Sequence, residues 1–282
     1  MSSQEETRYL VPLDTSDHSR AATLRACEIA KRTNATLTGL AVVDSHGIQE
    51  SVALPFMADY ADFPRPNAVI RVHNAISKLD LAGEVFLNTC KEYEVKAEFL
   101  RLSGTPANGI LDRIRFHDLG VFGMQSHFHF ETEPENHDTL RLVLNHSAIP
   151  ILLCPSFESD PIRRVIIAFD GSEPSTRAMH RFAEFWPIYK PEVRIVTGTG
   201  NAKSGGHLLD QAQKFLQRKG VETITTSLEQ EALTDSFEKK HLEWSDLIVA
   251  GIRSRTSLKR FFIGSFANYL IEESHRSLLL SQ

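Results

Sequence analysis

Arg8-Tyr-Leu-Val-Pro-Leu-Asp14-Thr-Ser16-Asp-His-Ser-Arg-Ala-Ala opens the chain, and Arg164-Val-Ile-Ile-Ala-Phe-Asp170-Gly-Ser172-Glu-Pro-Ser-Thr-Arg-Ala answers it past the middle. Each stretch is an apolar run ending in aspartate, then a small-residue turn, then a helix opening on serine. Two further echoes follow in the same order. Asp118-Leu-Gly-Val-Phe-Gly123 is matched by Asp246-Leu-Ile-Val-Ala-Gly251, and Ser147-Ala-Ile-Pro-Ile-Leu-Leu-Cys154 by His275-Arg-Ser-Leu-Leu-Leu280. Repetition in this order indicates a tandem duplication.

Working outward, strands and helices alternate in both halves. The first half reads as strands at 9–13, 36–43, 96–102, 119–123 and 150–154, with helices at 16–32, 69–93, 106–117 and 137–145. Ala22, Ala26, Ile29 and Ala30 share one face of the first helix and suit close packing on a sheet. The second half repeats the order, with strands at 165–169, 193–197, 222–227, 247–250 and 277–280. Nearly continuous apolar strands between helices predict α/β architecture with parallel sheets covered on both faces. The expected domains are 1–156 and 157–282, joined by a proline-bearing linker at 156–163. The stretch 44–66, with three prolines, is too long for an ordinary connection and reads as a covering loop. Ligands of such folds bind beyond the carboxyl ends of the strands. There the first and fourth strands bring together Asp14 with Gly123, and Asp170 with Gly251.

Composition narrows the function class. The net charge of −5 argues against nucleic-acid binding driven by phosphate neutralisation. No apolar run approaches the roughly 20 residues that span a bilayer, and the start, Met-Ser-Ser-Gln-Glu-Glu, lacks a secretory pattern. A cytoplasmic address without membrane partners is expected. Cys27, Cys90 and Cys154 lie far apart in apolar contexts and read as small core residues. Residues 1–156 carry a net −6 and the remainder +1, so the second half repels an anionic ligand less.

The second half also carries the most chemically suggestive segment. Gly251-Ile-Arg-Ser254 follows a buried strand, and nine residues later Gly264-Ser265 opens a stretch with helical apolar spacing at Phe266, Ala267, Tyr269 and Leu270. A glycine turn lets main-chain N–H groups approach an anion, and a helix start adds N–H donors and a positive dipole end. A strand, a loop and a capped helix of any α/β protein would look the same. Arg253, Arg255, Lys259 and Arg260 suit either a triphosphate or a solvated face. Thr197-Gly-Thr-Gly200-Asn-Ala-Lys203 breaks the dinucleotide fingerprint and reads as a flexible loop. No Gly-x4-Gly-Lys-Ser/Thr exists. His127, His129, His137 and Glu131 read as scattered loop residues rather than a metal site. Trp186 and Trp244 read as core anchors, and no catalytic set stands out.

These residues resemble the universal stress protein family, in its tandem two-domain form, over almost the whole chain. Gly251, Gly264 and Ser265 match the family's Gly-x2-Gly-x9-Gly-Ser/Thr in type and spacing, as Asp170-Gly-Ser172 and Ser175 match its first strand-helix corner. Gly104-x-Pro106, Ile110 and the 118–123 strand resemble its middle section. The resemblance implies two doubly wound domains, each a five-stranded parallel sheet of order 3-2-1-4-5 with helices on both faces. It implies ATP or another adenine nucleotide as ligand: Asp170 near the adenosine, Val196 and Thr197 at the adenine edge, Gly251, Ile252 and Arg253 along ribose and phosphates, and Gly264, Ser265 and Phe266 at the phosphates.

Ser254 departs from the pattern at the second glycine. The first half departs further, with Ser126 after Gly123 and Asn136-His137-Asp138-Thr139 in place of Gly-Ser. An aspartate at a helix start repels phosphate, so that half is expected to lack ATP binding through this motif. The resulting expectation is a non-enzymatic stress-response protein whose second domain takes the nucleotide as a conformational ligand. The alternative is a nucleotide-free tandem scaffold for an unidentified protein partner. The family also implies pairing of its last strands, here Ile151 to Cys154 with Leu278 to Leu280, so that one chain imitates a dimer; further homodimerisation is not legible.

Overall fold

The computed structural model describes residues 6–45, 47–48, 66–128, 139–156, 161–198, 201–229, 237, 240–252, 265–273 and 275–282. The chain divides into two units, Met1–Val143 and Leu144–Gln282.

In the first unit β1 (Arg8–Pro12), α1 (Asp17–Thr33), β2 (Thr36–Val43), α2 (Pro66–Glu92), β3 (Ala97–Ser103), α3 (Pro106–Ile114) and β4 (Leu119–Gly123) follow one another. Their strands lie in the order β3-β2-β1-β4, all parallel. Burial explains the order. β1 and β2, each between two neighbours, are buried in all but their first residue, whereas β3 alternates and takes the edge. The boundary between units falls within α4 (Thr139–His146).

The second unit holds β5 (Ile151–Cys154), β6 (Arg164–Ala168), α5 (Glu173–Tyr189), β7 (Glu192–Gly198), α6 (Ala202–Arg218), β8 (Ile224–Glu229), β9 (Leu247–Gly251), α7 (Ser265–Glu273) and β10 (Ser277–Ser281). Its strands run β8-β7-β6-β9-β10-β5. The first five are parallel and realise the expected 3-2-1-4-5 order. β5 closes the row antiparallel, pairing Leu153 with Leu278, Leu152 with Leu279 and Ile151 with Leu280.

Local chemistry accounts for the elements. Ser16 caps α1 by accepting the Ser19 N–H, and Asn34 ends it in the left-handed region at φ 54°. Ala22, Ala26, Ile29 and Ala30 are buried as the helical face predicts. Each half also uses an aspartate to set the start of its fourth strand. Asp118 Oδ2 accepts the Arg8 N–H, and Asp246 Oδ2 accepts those of Arg163 and Arg164. The main chain returns the contact, Asp118 N–H to Arg8 O and Asp246 N–H to Arg164 O. The repeated Asp-Leu in the sequence is therefore a register clamp.

Two expectations are corrected. The stretch 197–206 is no flexible loop throughout: α6 begins at Ala202, because Asn201 Oδ1 accepts the N–H groups of Lys203 and Ser204 and fixes the helix start. Trp244 is half-buried rather than a core anchor. The Arg194 guanidinium lies 3.9 Å from its ring centroid and that of Arg164 5.7 Å, so cation–π attraction holds it at the sheet's margin. The Trp186 side chain and residues 49–65 of the predicted covering loop lie outside the described residues. No helix among the described residues is long and apolar enough to cross a membrane.

Ile248, in β9 between β10 and β6, is fully buried. Ile248→Ala is expected to cost about 2–5 kcal/mol, read as a lower urea midpoint at unchanged slope.

Candidate functional site

At the carboxyl end of β6 the chain passes through buried Phe169 to exposed Asp170. Gly171 then takes φ +75°, a conformation suited to glycine. Asp170 Oδ1 accepts the Ser172 N–H at 2.9 Å, which fixes the carboxylate against the turn. Ser172 opens α5: its Oγ accepts the Ser175 N–H and its carbonyl accepts the Thr176 N–H. Glu173 and Pro174 follow in the first turn, where an acid and a residue without an N–H are both favoured.

The fourth strand ends against that same helix start. A Cβ on Gly251 would overlap the Pro174 carbonyl carbon and the Ser175 nitrogen, and would lie 2.8 Å from Pro174 Cβ. Gly251 is thus required by packing, whatever else it does. Register places the two strand ends side by side, with Ile167 opposite Val249. Ile252 is buried and donates its N–H to Ser281 O at 2.7 Å, so that donor is already engaged. Val196 and Thr197, at the end of β7, are also buried, and Val196 O accepts the Phe169 N–H. They form a floor beneath the strand ends rather than an exposed rim.

α7 begins at Ser265. Phe266, its second residue, packs edge-on to Phe237 with centroids 5.0 Å apart and stacks near Tyr269 at 6.5 Å. Arg253, Ser254 and Gly264, and the side chain of Ser265, lie outside the described residues, as do Arg255, Lys259 and Arg260.

Sequence reasoning missed a charge cluster around the buried Glu229 at the end of β8. Glu229 Oε1 accepts from Ser227 Oγ at 2.8 Å and lies 3.0 Å from His241 Nε2, while Oε2 takes Lys240 Nζ at 2.9 Å. Burial by itself would raise the Glu229 carboxyl, but Lys240, Ser227 and His241 outweigh it and hold it down at about 2. The His241 ring also meets Phe237 at 5.5 Å, which links the cluster to Phe266. The partners lie 11 and 12 residues on, beyond the end of β8, so no pattern within one element announced them.

The first unit builds the same corner and then covers it. Asp14 is buried; its Oδ1 accepts the Ser16 N–H and Oγ–H, and its Oδ2 accepts the His127 N–H at 2.5 Å. A Cβ on Gly123 would meet the His18 carbonyl carbon at 2.6 Å, the counterpart of the Gly251 contact. Beyond it Phe128 is buried edge-on to Phe122, 6.3 Å between centroids. The chain after β4 therefore lies over the aspartate that stays exposed in the second unit. His129, Glu131, His137, Asn136 and Asp138 lie outside the described residues. Among the described residues no three His, Cys, Asp or Glu side chains gather as a metal site.

Two outcomes are expected from this geometry. Gly251→Ala forces the strand end away from α5 and is expected to cost about 1–3 kcal/mol in urea denaturation. The depressed Glu229 carboxyl contributes stability that is fully present above its unfolded value of 4.5 and lost as pH falls toward about 2. Glu229→Gln is accordingly expected to destabilise by about 1–3 kcal/mol at neutral pH. The gap from the parent protein should shrink in urea titrations taken through acid pH.

Comparison with known proteins follows the same lines. Residues 7–118 match the model of the universal stress protein family. A universal stress protein of Methanocaldococcus jannaschii is 26% identical over 137 residues, spanning 42% of this chain and 81% of that protein. The crystal structure of a universal stress protein from Archaeoglobus fulgidus covers 99% of both chains with a TM-score of 0.73 at 16% identity, a likeness of fold. A universal stress protein solved in complex with cAMP covers 44% of this chain and 98% of its own, with 21% identity and a TM-score of 0.39. The family model matches the first half and the second half repeats its strand order, so the chain is similar to universal stress proteins in sequence over residues 7–118 and in fold over nearly its whole length.

Proposed function

We propose that the second unit binds ATP or another adenine nucleotide beyond the carboxyl ends of β6 and β9, as a conformational ligand rather than a substrate. The observation that carries this reading is the start of α7 at Ser265, the residue at which the glycine spacing from Gly251 assigns phosphate. A helix start offers unpaired N–H groups and the positive end of its dipole to an anion. Asp170, exposed at the neighbouring strand end, suits the hydroxyls of a ribose as an acceptor. Val196, Thr197 and Ile252 act as the floor, and Phe266 as a wall anchored through Phe237. The motif assigns Arg253, Ser254 and Gly264 to the same nucleotide.

The first unit takes no nucleotide in this reading, because Asp14 is already satisfied by Ser16 and His127. That same contact favours the scaffold alternative for the first unit, which then serves as a docking body for a protein partner. Nucleotide would shift the protein between states in proportion to its differential affinity for them.

Binding adds stability by mass action, about 2.7 kcal/mol at a hundredfold excess over Kd. Millimolar ATP is therefore expected to raise the melting temperature by several degrees. Asp170→Ala and Gly264→Val should lose the shift, while Asp14→Ala keeps it. Protein that releases no nucleotide on denaturation, and whose melting is unmoved by millimolar ATP, would leave only the scaffold reading.

A further inference from the structure

Two of the three cysteines meet inside the first unit. Cys27 lies midway along α1 and Cys90 in the last turn of α2, with their sulfurs 3.7 Å apart. Both are free thiols, and both are buried. Packing accounts for a small apolar residue at either position, but it gives no reason for two thiols to face each other across a helix pair. The sulfurs need to close by about 1.7 Å to reach the disulfide length of about 2.05 Å. Rotation of two side chains supplies a movement of that size without moving the helices far.

The surroundings add a nucleophile and a way in. Cys27 donates its S–H to Cys90 Sγ. That bond holds the Cys90 thiol below its ordinary value against the opposing effect of burial, and it pushes Cys27 up. Of the two sulfurs, Cys90 is therefore the one whose deprotonation is favoured. It sits where α2 ends, with Val95 N–H donating to Cys90 O and Glu94 in the left-handed region at φ 60°. Helix ends open at lower cost than helix centres. The junction is fastened one turn further on by Lys31 and Glu94, 3.0 Å apart and largely exposed, and such a pair stabilises little.

We propose that Cys27 and Cys90 form a modification site, a reversible disulfide made by a peroxide-class oxidant that ties α1 to α2. The Cys90 thiolate attacks one peroxide oxygen and the O–O bond breaks. The departing hydroxide takes a proton and leaves as water, and Cys90 becomes a sulfenic acid. The Cys27 sulfur then attacks the Cys90 sulfur. The S–O bond breaks, and the hydroxide leaves with the Cys27 proton as a second water. Two thiols lose two electrons and one peroxide becomes two waters; a dithiol reductant returns the electrons. This bond fixes the helix that carries the Asp14–Ser16 corner, and it stands independently of nucleotide binding in the second unit.

The test uses the full chain, equilibrated with hydrogen peroxide or with oxidising glutathione buffer, then alkylated in denaturant and mapped by mass spectrometry. The expected result is a drop in alkylatable thiols from three to one, with one linked peptide pair containing Cys27 and Cys90 that dithiothreitol releases. Oxidation should raise the melting temperature by several degrees, since the bond restrains a long loop of the unfolded chain. Cys27→Ala and Cys90→Ala should each lose that rise, and Cys154→Ala should keep it. Three thiols still open to alkylation after equilibration, only glutathione adducts, or a bond involving Cys154 would overturn the proposal. The map of the unsubstituted protein decides the matter even where a variant fails to fold.

Discussion

The peptide joining Pro174 to Ser175 occupies the space that any side chain at residue 251 would need. From that contact follow the position of α5 at the end of β9, the height of the Asp170 corner above the sheet, and the adjacency of two strand ends. The first unit obeys the same steric rule with His18 lying against Gly123. A β-strand ending in glycine is usually discussed as a gap for a ligand. Here the gap is filled by helix backbone, and any ligand would use the surface that this packing creates. Close-packed interiors leave no slack for a compromise, so one hydrogen in place of a methyl group sets the geometry of the whole edge.

Two units with one plan have diverged where chemistry rather than packing decides. In the second, Asp170 is exposed and tied to its own turn through Ser172. In the first, Asp14 is buried with both oxygens engaged, one of them by the main chain of His127. A buried carboxylate must be satisfied from within, and the loop after β4 does so with an N–H group. The covering loop supplies the sort of donor that a ligand hydroxyl would supply. Duplication thus preserved the clamp and the glycine contact but let one corner fold over itself.

Much of this was legible in the residues. The continuous apolar runs gave the strands, and the spacing of Ala22, Ala26 and Ala30 gave a packing face. What periodicity could not convey was contact between distant positions. Glu229 finds Lys240 and His241 through the chain beyond β8, and Cys27 finds Cys90 across two helices; neither set lies within one element. Asn201 was misread because the surrounding glycines signal turns, whereas its side chain holds two N–H groups and starts a helix. Trp244 was assigned to the core by its spacing, but two arginines compete for its face. For the candidate site, Asp170, Gly251 and the start of α7 were legible from the motif. The burial of Val196, Thr197 and Ile252 came only with the sheet.

β5 bears on how the chain is divided. The leucines of β10 pair on one side with β9 and on the other with Ile151, Leu152 and Leu153. A fragment cut at the apparent linker, after residue 156, keeps β10 and discards its antiparallel neighbour. Its last strand would then present a row of unpaired main-chain groups flanked by buried leucines, a template for another chain to add to. Such a fragment would sediment as pairs or larger assemblies for a reason unrelated to physiology. Solubility in the smallest workable piece of this unit therefore depends on retaining residues that the sequence assigns to the other half.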